Sequence, residues 1–222
     1  GMAVGFLVLL AINPAHAWGD GFVRIVKGGF HDAPYGVGKE LANAAPLIMT
    51  GLSVGFAFKT GLFNIGAAGQ YAFGAGMAIY AALACQLPWW VCLLIATAAG
   101  AALGTVSGVL KSYCNVNEVI SGIMLNWITL YAMNDLLTNV KETASPYTMH
   151  IGSVSPESLM PTLGLDALFS NNQYVTISIP IAMLIAVIVY IVMEKTKFGY
   201  ELKACGFNKD AAKYAGINEK RN

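Results

Sequence analysis

Gly61-Leu-Phe-Asn-Ile-Gly-Ala-Ala-Gly-Gln70 stands between two apolar runs, residues 41–58 and 71–87. Within that stretch lie three glycines, an asparagine and a glutamine, and Lys59 and Thr60 come just before it. Glycine lets a backbone leave helical geometry or lets another backbone come close. In a bilayer such a break survives only where protein or a water-filled cavity covers the freed backbone groups. Two readings stand: a loop between two membrane helices, or a discontinuous helix lining a solute path near the bilayer midplane. Either one makes the fold an all-α, polytopic transmembrane helix bundle.

Composition supports the same class. Of 222 residues, 56% are hydrophobic and 11% charged, where a soluble domain carries about 25% charge. Mean hydropathy is +0.59. Net charge is +1, and no basic stripe or aromatic-interleaved basic patch argues for nucleic acid. Cys85, Cys92, Cys114 and Cys205 form no CxxC pair. Cys85 and Cys92 flank the Pro88–Trp90 turn, where a disulfide has the right setting, but free cysteine in apolar sequence usually serves as a small hydrophobe. His16, His31 and His150 have no partners at ligand spacing, so no metal site is read.

The spans follow in order. Residues 2–12 are apolar but too few to cross about 30 Å of hydrocarbon, which needs about 20 residues. Ala15-His-Ala17 resembles a signal-peptidase site, yet no positive charge opens the chain. The stretch is read as the end of a partial first span. Residues 13–39 form a Gly-rich connection with a short amphipathic piece around Val23–Val26. Further spans are expected at 41–58, 65–87, 91–110, 119–137 and 175–193, about six in all. Pro46 is taken to lie near the start of its span, where proline is best tolerated. Pro88-Trp89-Trp90 reads as a turn in the headgroup belt. Gly100, Gly104 and Gly108 repeat at four-residue spacing, a helix-packing face.

Lys and Arg set the orientation. With the first loop outside, Arg24, Lys27, Lys39 and Lys141 are outer. Lys59, Lys111, Lys195, Lys197, Lys203, Lys209, Lys213, Lys220 and Arg221 are then inner, and residues 194–222 are cytoplasmic.

Asn115-Val-Asn-Glu-Val-Ile-Ser-Gly-Ile-Met-Leu-Asn-Trp127 opens the fifth span. Glu118, Gly122, Asn126 and Thr129 fall on one helical face. The polar members either bond a neighbouring helix or border a polar solute path. Further on, Asn208 reads as an N-cap, Asp210 sits in the first turn and Gly216 reads as C′ of a short helix, 209–215. So short a helix needs docking to persist, and Ala211, Ala212, Tyr214 and Ala215 offer an apolar surface. There is no GxxxxGK[ST] loop to cradle ATP phosphates, and no Ser/His/Asp or Cys/His arrangement for catalysis.

Three stretches together resemble the permease subunit of bacterial ABC importers for nucleosides and simple sugars. They are Pro46–Leu52 with Gly61–Gln70, the Asn-Glu-Val-Ile…Leu-Asn pattern, and the segment from Thr196 to Ile217. The family usually carries an acidic residue where this chain has Ala68, so no role of that carboxylate carries over. The resemblance implies a single membrane permease domain over 1–222, continuing beyond both ends, with 194–222 as its coupling segment. Gly199, Leu202, Gly206, Asn208, Ala211, Ala212, Tyr214, Ala215 and Gly216 match the part that meets the ATPase. It implies a solute path near Asn64, Gln70, Glu118, Asn126 and Thr129, and no cofactor in this chain, ATP and Mg being held by partner ATPase subunits. A second related permease, an extracytoplasmic solute-binding protein and the lipid of the inner membrane complete the expected partners. An ATP-independent secondary transporter or channel is the alternative, with Glu118 and Asp135 as its candidate carboxylates.

Overall fold

The computed structural model describes residues 1–30, 32–141 and 147–217. His31, Lys220 and Arg221, used in the sequence reading, lie outside the described residues. Apart from one isolated bridge between Lys141 and Thr148, regular structure among the described residues is helical. The chain divides into two compact units, residues 1–45 with 161–181 and residues 46–160 with 182–222.

In the first unit, α1 (Met2–Ile12) is apolar throughout and buries no residue. Phe6 meets Trp18 and Phe22 at centroid distances of 5.6 and 5.0 Å, which ties the following turns to α1. Those turns are helical, including a π-helical stretch, Ala17–Val23, and a single turn at Arg24–Lys27. The stretch expected to be a connection as far as Lys39 ends earlier, because α2 (Tyr35–Lys59) already begins there. Its first turns are fixed by the chain around Asn172, whose amide donates to the Tyr35 carbonyl at 2.9 Å. A Cβ on Gly38 would fall 2.8 Å from Phe169 Cβ and from Val175 Cγ2, so only glycine fits that seat.

The early start corrects the reading of Pro46, which lies inside α2 rather than near its beginning. Proline there has no N–H to donate one turn back. The hydroxyl of Thr50 donates to the Pro46 carbonyl at 3.0 Å.

The second unit is organised on α3 (Ala67–Ala84), which packs against both α4 (Trp89–Cys114) and α5 (Glu118–Thr138). Small residues allow this. A Cβ on Gly74 would sit 2.8 Å from the Ala96 carbonyl oxygen on α4, and one on Gly76 would sit 2.5 Å from Met133 Sδ on α5. Ala81, Ala82 and Cys92 form a core near the α3–α4 turn, with Leu87, Ile95 and Ile151 against it. Cys85 and Cys92 are free thiols. Two helices after the loop region, α6 (Ser178–Lys195) and α7 (Lys197–Phe207), lead to α8 (Lys209–Tyr214).

Among the described residues three helices, α2, α4 and α6, are long and apolar enough to cross a membrane. In α4 none of the most apolar window is buried, so its outer surface is left for lipid or another chain. α3 is the most buried of the long helices, whereas α5 buries one face through Ser121, Gly122, Thr129 and Met133 and leaves Ile120, Trp127 and Tyr131 exposed.

Candidate functional site

The break expected at Gly61–Gln70 is a sharp stop and restart. Gly61 has φ +73°. Its N–H donates to the Phe58 carbonyl at 3.2 Å, and the Leu62 N–H reaches back to Ala57 at 2.9 Å. These two bonds form a Schellman closure with glycine at C′, which satisfies carbonyls that the last turn of α2 leaves open. The chain runs irregularly to Gly66, and α3 begins at Ala67.

Gly66, at the N-cap of α3, has no side chain with which to cap. Asn126 of α5 supplies the missing group. Its Oδ1 accepts the Gly69 N–H at 2.8 Å, and its Nδ2 donates to the Ile65 carbonyl at 3.0 Å. One amide thus answers an orphan donor of the new helix and an acceptor of the break. Close approach makes it possible: a Cβ on Gly122 would lie 2.9 Å from the Gly66 nitrogen.

Beside the break lies a cavity of about 570 Å³. Its polar patch is Ser53, Asn64 and Gln70. Asn64 Nδ2 donates to Ser53 Oγ at 3.0 Å and to Gln70 Oε1 at 3.2 Å. The Lys111 ammonium and Glu118 carboxylate also line it, paired at 2.7 Å across the joint between α4 and α5. Phe56 and Phe63 supply aromatic wall. The site therefore offers amide and hydroxyl hydrogen-bonding groups, a matched ion pair and flat apolar surface. That chemistry suits an uncharged solute with a polar edge. No group of three or more His, Cys, Asp or Glu among the described residues could hold a metal ion.

Of the five residues read as bordering a solute path, Asn64, Gln70 and Glu118 line this cavity together. Asn126 and Thr129 do not: Asn126 holds the break, and Thr129 is 2% exposed within α5. The glycine ladder also divides. Gly100 and Gly104 lie against Gln70, at 3.3 Å from its carbonyl oxygen and Nε2 respectively for a built Cβ. Gly108 has nothing within 4 Å and lines the cavity, so the packing face ends one step early.

The segment after α6 folds as two helices where one was expected. Thr196 caps α7 by accepting from the Gly199 N–H at 3.2 Å. Glu194 pairs with Lys203 at 2.9 Å. Asn208 caps α8 through the Ala211 N–H at 3.1 Å. Gly216, φ +81°, closes it with the same pair of bonds seen after α2, Gly216 to Lys213 and Ile217 to Ala212. Among residues read as the coupling surface, Gly199, Leu202 and Ala212 are buried, so they belong to the fold of the segment. Ala211, Tyr214, Ala215 and Gly216 are exposed, Tyr214 by 94%. Phe207, at the α7–α8 joint, is 90% exposed and has no signal in the sequence that sets it apart. The signal for α7 was Thr196 three residues before Gly199, a capping spacing.

The sequence profile of the family described as branched-chain amino acid transport system / permease component matches residues 38–222. The guanosine ABC transporter permease protein NupP of Bacillus subtilis is 34% identical, over 100% of this chain and 63% of its own length. The nucleoside ABC transporter permease protein NupB of Lactococcus lactis is 31% identical, over 100% of this chain and 62% of its own. The glucose ABC transporter permease protein TsgB13 of Haloferax volcanii is 30% identical, over 98% of this chain and 58% of its own. The chain thus spans somewhat less than two thirds of these curated relatives. No solved structure matches it. With the family profile covering the break, the cavity and the two-helix segment alike, the chain belongs to the branched-chain amino acid transport system permease component family.

Proposed function

We propose that the chain works as a transmembrane permease subunit of an ATP-driven ABC importer and carries nucleosides or related simple sugars inward by alternating access. The observation that carries this reading is the cavity beside the α2–α3 break, where Ser53, Asn64 and Gln70 present hydrogen-bonding groups within apolar walls. Relatives named for guanosine, nucleosides and glucose support the same class of solute. Asn64, Gln70 and Glu118 contact the solute path, and Asn126 and Thr129 support it from α5. α2 to α6 cross the cytoplasmic (inner) membrane, and α1 adds a first span, about six in all.

In this reading α7 and α8 face the cytoplasm, which the excess of Lys and Arg in the segment supports. Exposed Tyr214, Ala211 and Ala215 dock on an ATPase subunit, which binds ATP and Mg. A second related permease completes the path, and an extracytoplasmic binding protein delivers the solute. The ATP-independent alternative needs an ionisable carboxylate within the membrane, with Glu118 and Asp135 as its candidates. Glu118 is already engaged by Lys111 at 2.7 Å, which weakens that alternative at its first candidate.

Uptake of radiolabelled guanosine, with ribose and glucose as competitors, tests the proposal in cells producing the protein with its neighbouring subunits. Uptake that needs the chain and stops on ATP depletion is expected. Uptake that persists without ATP, driven by an ion gradient, would overturn the ABC reading.

A further inference from the structure

We propose that α7 is the inner wall of the cavity, seated on the α2–α3 break through glycine backbones, with Leu202 as the side chain that closes that end. This rests on the permease reading for its purpose, but not for its geometry.

Leu202 is 4% exposed and lines the cavity from α7, beside Leu62 of the break and Ile185 and Val189 of α6. A segment following the last apolar helix therefore contributes to the same cavity as Asn64 and Gln70. Its helix is held at both ends by contacts that leave no room for a side chain. At the start, a Cβ on Gly199 would run into the Val192 carbonyl and come within 2.5 Å of the Met193 carbonyl oxygen. At the end, a Cβ on Gly206 would lie 2.6 Å from the Thr60 carbonyl carbon, and one on Gly61 would lie 2.6 Å from the Gly206 oxygen. The Glu194–Lys203 pair adds a pin between the two ends.

Backbone resting on backbone has no rotamers with which to absorb a displacement, and packed protein transmits strain. Gly61 is the C′ residue that ends α2, and Asn64 follows within the same irregular stretch. A shift of α7 is thus delivered to the residues of the polar patch in one step. α8 follows α7 with only Asn208 between them and packs against it, so a push on the exposed Tyr214 face reaches α7 directly. Leu202 moves with it and widens or narrows the inner end of the cavity.

The test reads the labelling of a thiol reporter, with nucleoside uptake measured beside it. Gly108→Cys is the reporter position, since it lines the cavity and a Cβ there meets nothing within 4 Å. Cys85, Cys92, Cys114 and Cys205 are first replaced by alanine. A charged maleimide is then applied to right-side-out and inside-out membrane vesicles containing the protein. Leu202→Ala should raise the labelling rate roughly tenfold from the face carrying α7 and leave the other face unchanged. Gly206→Ala, which must lift α7 off the break, should raise it from the same face. Leu202→Ala keeps every backbone contact, so it decides the matter if Gly206→Ala does not accumulate. Labelling unchanged by Leu202→Ala from both faces overturns the proposal. Raised labelling in a protein that takes up no nucleoside keeps the inner wall and removes the permease reading. Nucleoside uptake with unchanged labelling removes the inner wall alone.

Discussion

Both ends of the Asn126 amide are taken by main-chain groups of another segment, and this explains why a polar residue sits midway along α5. Replacement by leucine would leave the Gly69 N–H and the Ile65 carbonyl without their partner, at a cost of about 1–3 kcal/mol. Asn126→Leu should lower the thermal midpoint of the detergent-solubilised protein, and Asn126→Asp, which keeps the acceptor and loses the donor, should fall between. Equal midpoints for Asn126→Leu and wild type would return Asn126 to the list of solute contacts. Gln70 and Asn64 behave differently, because they bond each other at the cavity rather than the backbone. Asn64→Ala should weaken solute affinity by about tenfold, the loss of roughly one hydrogen bond, with little change in stability. Uptake measured across solute concentration would register this as a raised KM at an unchanged maximal rate. A fall in the maximal rate alone would speak against a binding role.

At the scale of elements, the glycines separate those that let helices meet from those that shape a space. Gly74→Ala forces a methyl against the Ala96 carbonyl and should destabilise the α3–α4 pair by about 1–3 kcal/mol. Gly108→Ala meets nothing and should be neutral or stabilising, since alanine is favoured over glycine in a helix by about 1 kcal/mol. Unfolding of the two variants in graded denaturant checks the contrast; equal losses would mean that Gly108 packs against something after all. The even four-residue spacing could not distinguish these positions, because spacing reports which face a residue shares and not where the neighbouring helix ends. The long helices are legible in the sequence, most of their ends within a few residues, because long apolar runs demand burial or lipid, and three of them, α2, α4 and α6, are long and apolar enough to cross a membrane. The short helix α8 was legible too, from Asn208 and Gly216, whose caps depend on local chemistry. What escaped reading depended on contacts distant in sequence. α2 starts at Tyr35, where Asn172 holds it, so Pro46, read near the start of its span, lies inside the helix. Asn126 and Gln70 looked alike as polar residues between apolar neighbours. Only the approach of α5 to the break decided that one supports the site and the other lines it.

Across the whole molecule, two kinds of exposed apolar surface call for two kinds of cover. The flanks of α2, α4 and α6 carry long apolar runs suited to lipid or to another chain. The face of α8 is small, follows two charge-bearing turns and presents Tyr214 almost wholly to its surroundings. On the proposed docking role, a charge placed there should uncouple transport without unfolding the chain. Tyr214→Asp should cut nucleoside uptake by at least roughly tenfold, the scale at which truncating an interface anchor registers. Its level in the membrane should stay unchanged, and co-purification of the ATPase subunit should fall in parallel. Ala212→Asp supplies the contrast: with Ala212 3% exposed, the carboxylate must enter the packing of the two-helix segment itself, and the protein should be lost from the membrane. Wild-type uptake by Tyr214→Asp at equal membrane levels would remove α8 from the ATPase interface. The docking surface would then have to be sought at Phe207, the other fully presented aromatic of the segment.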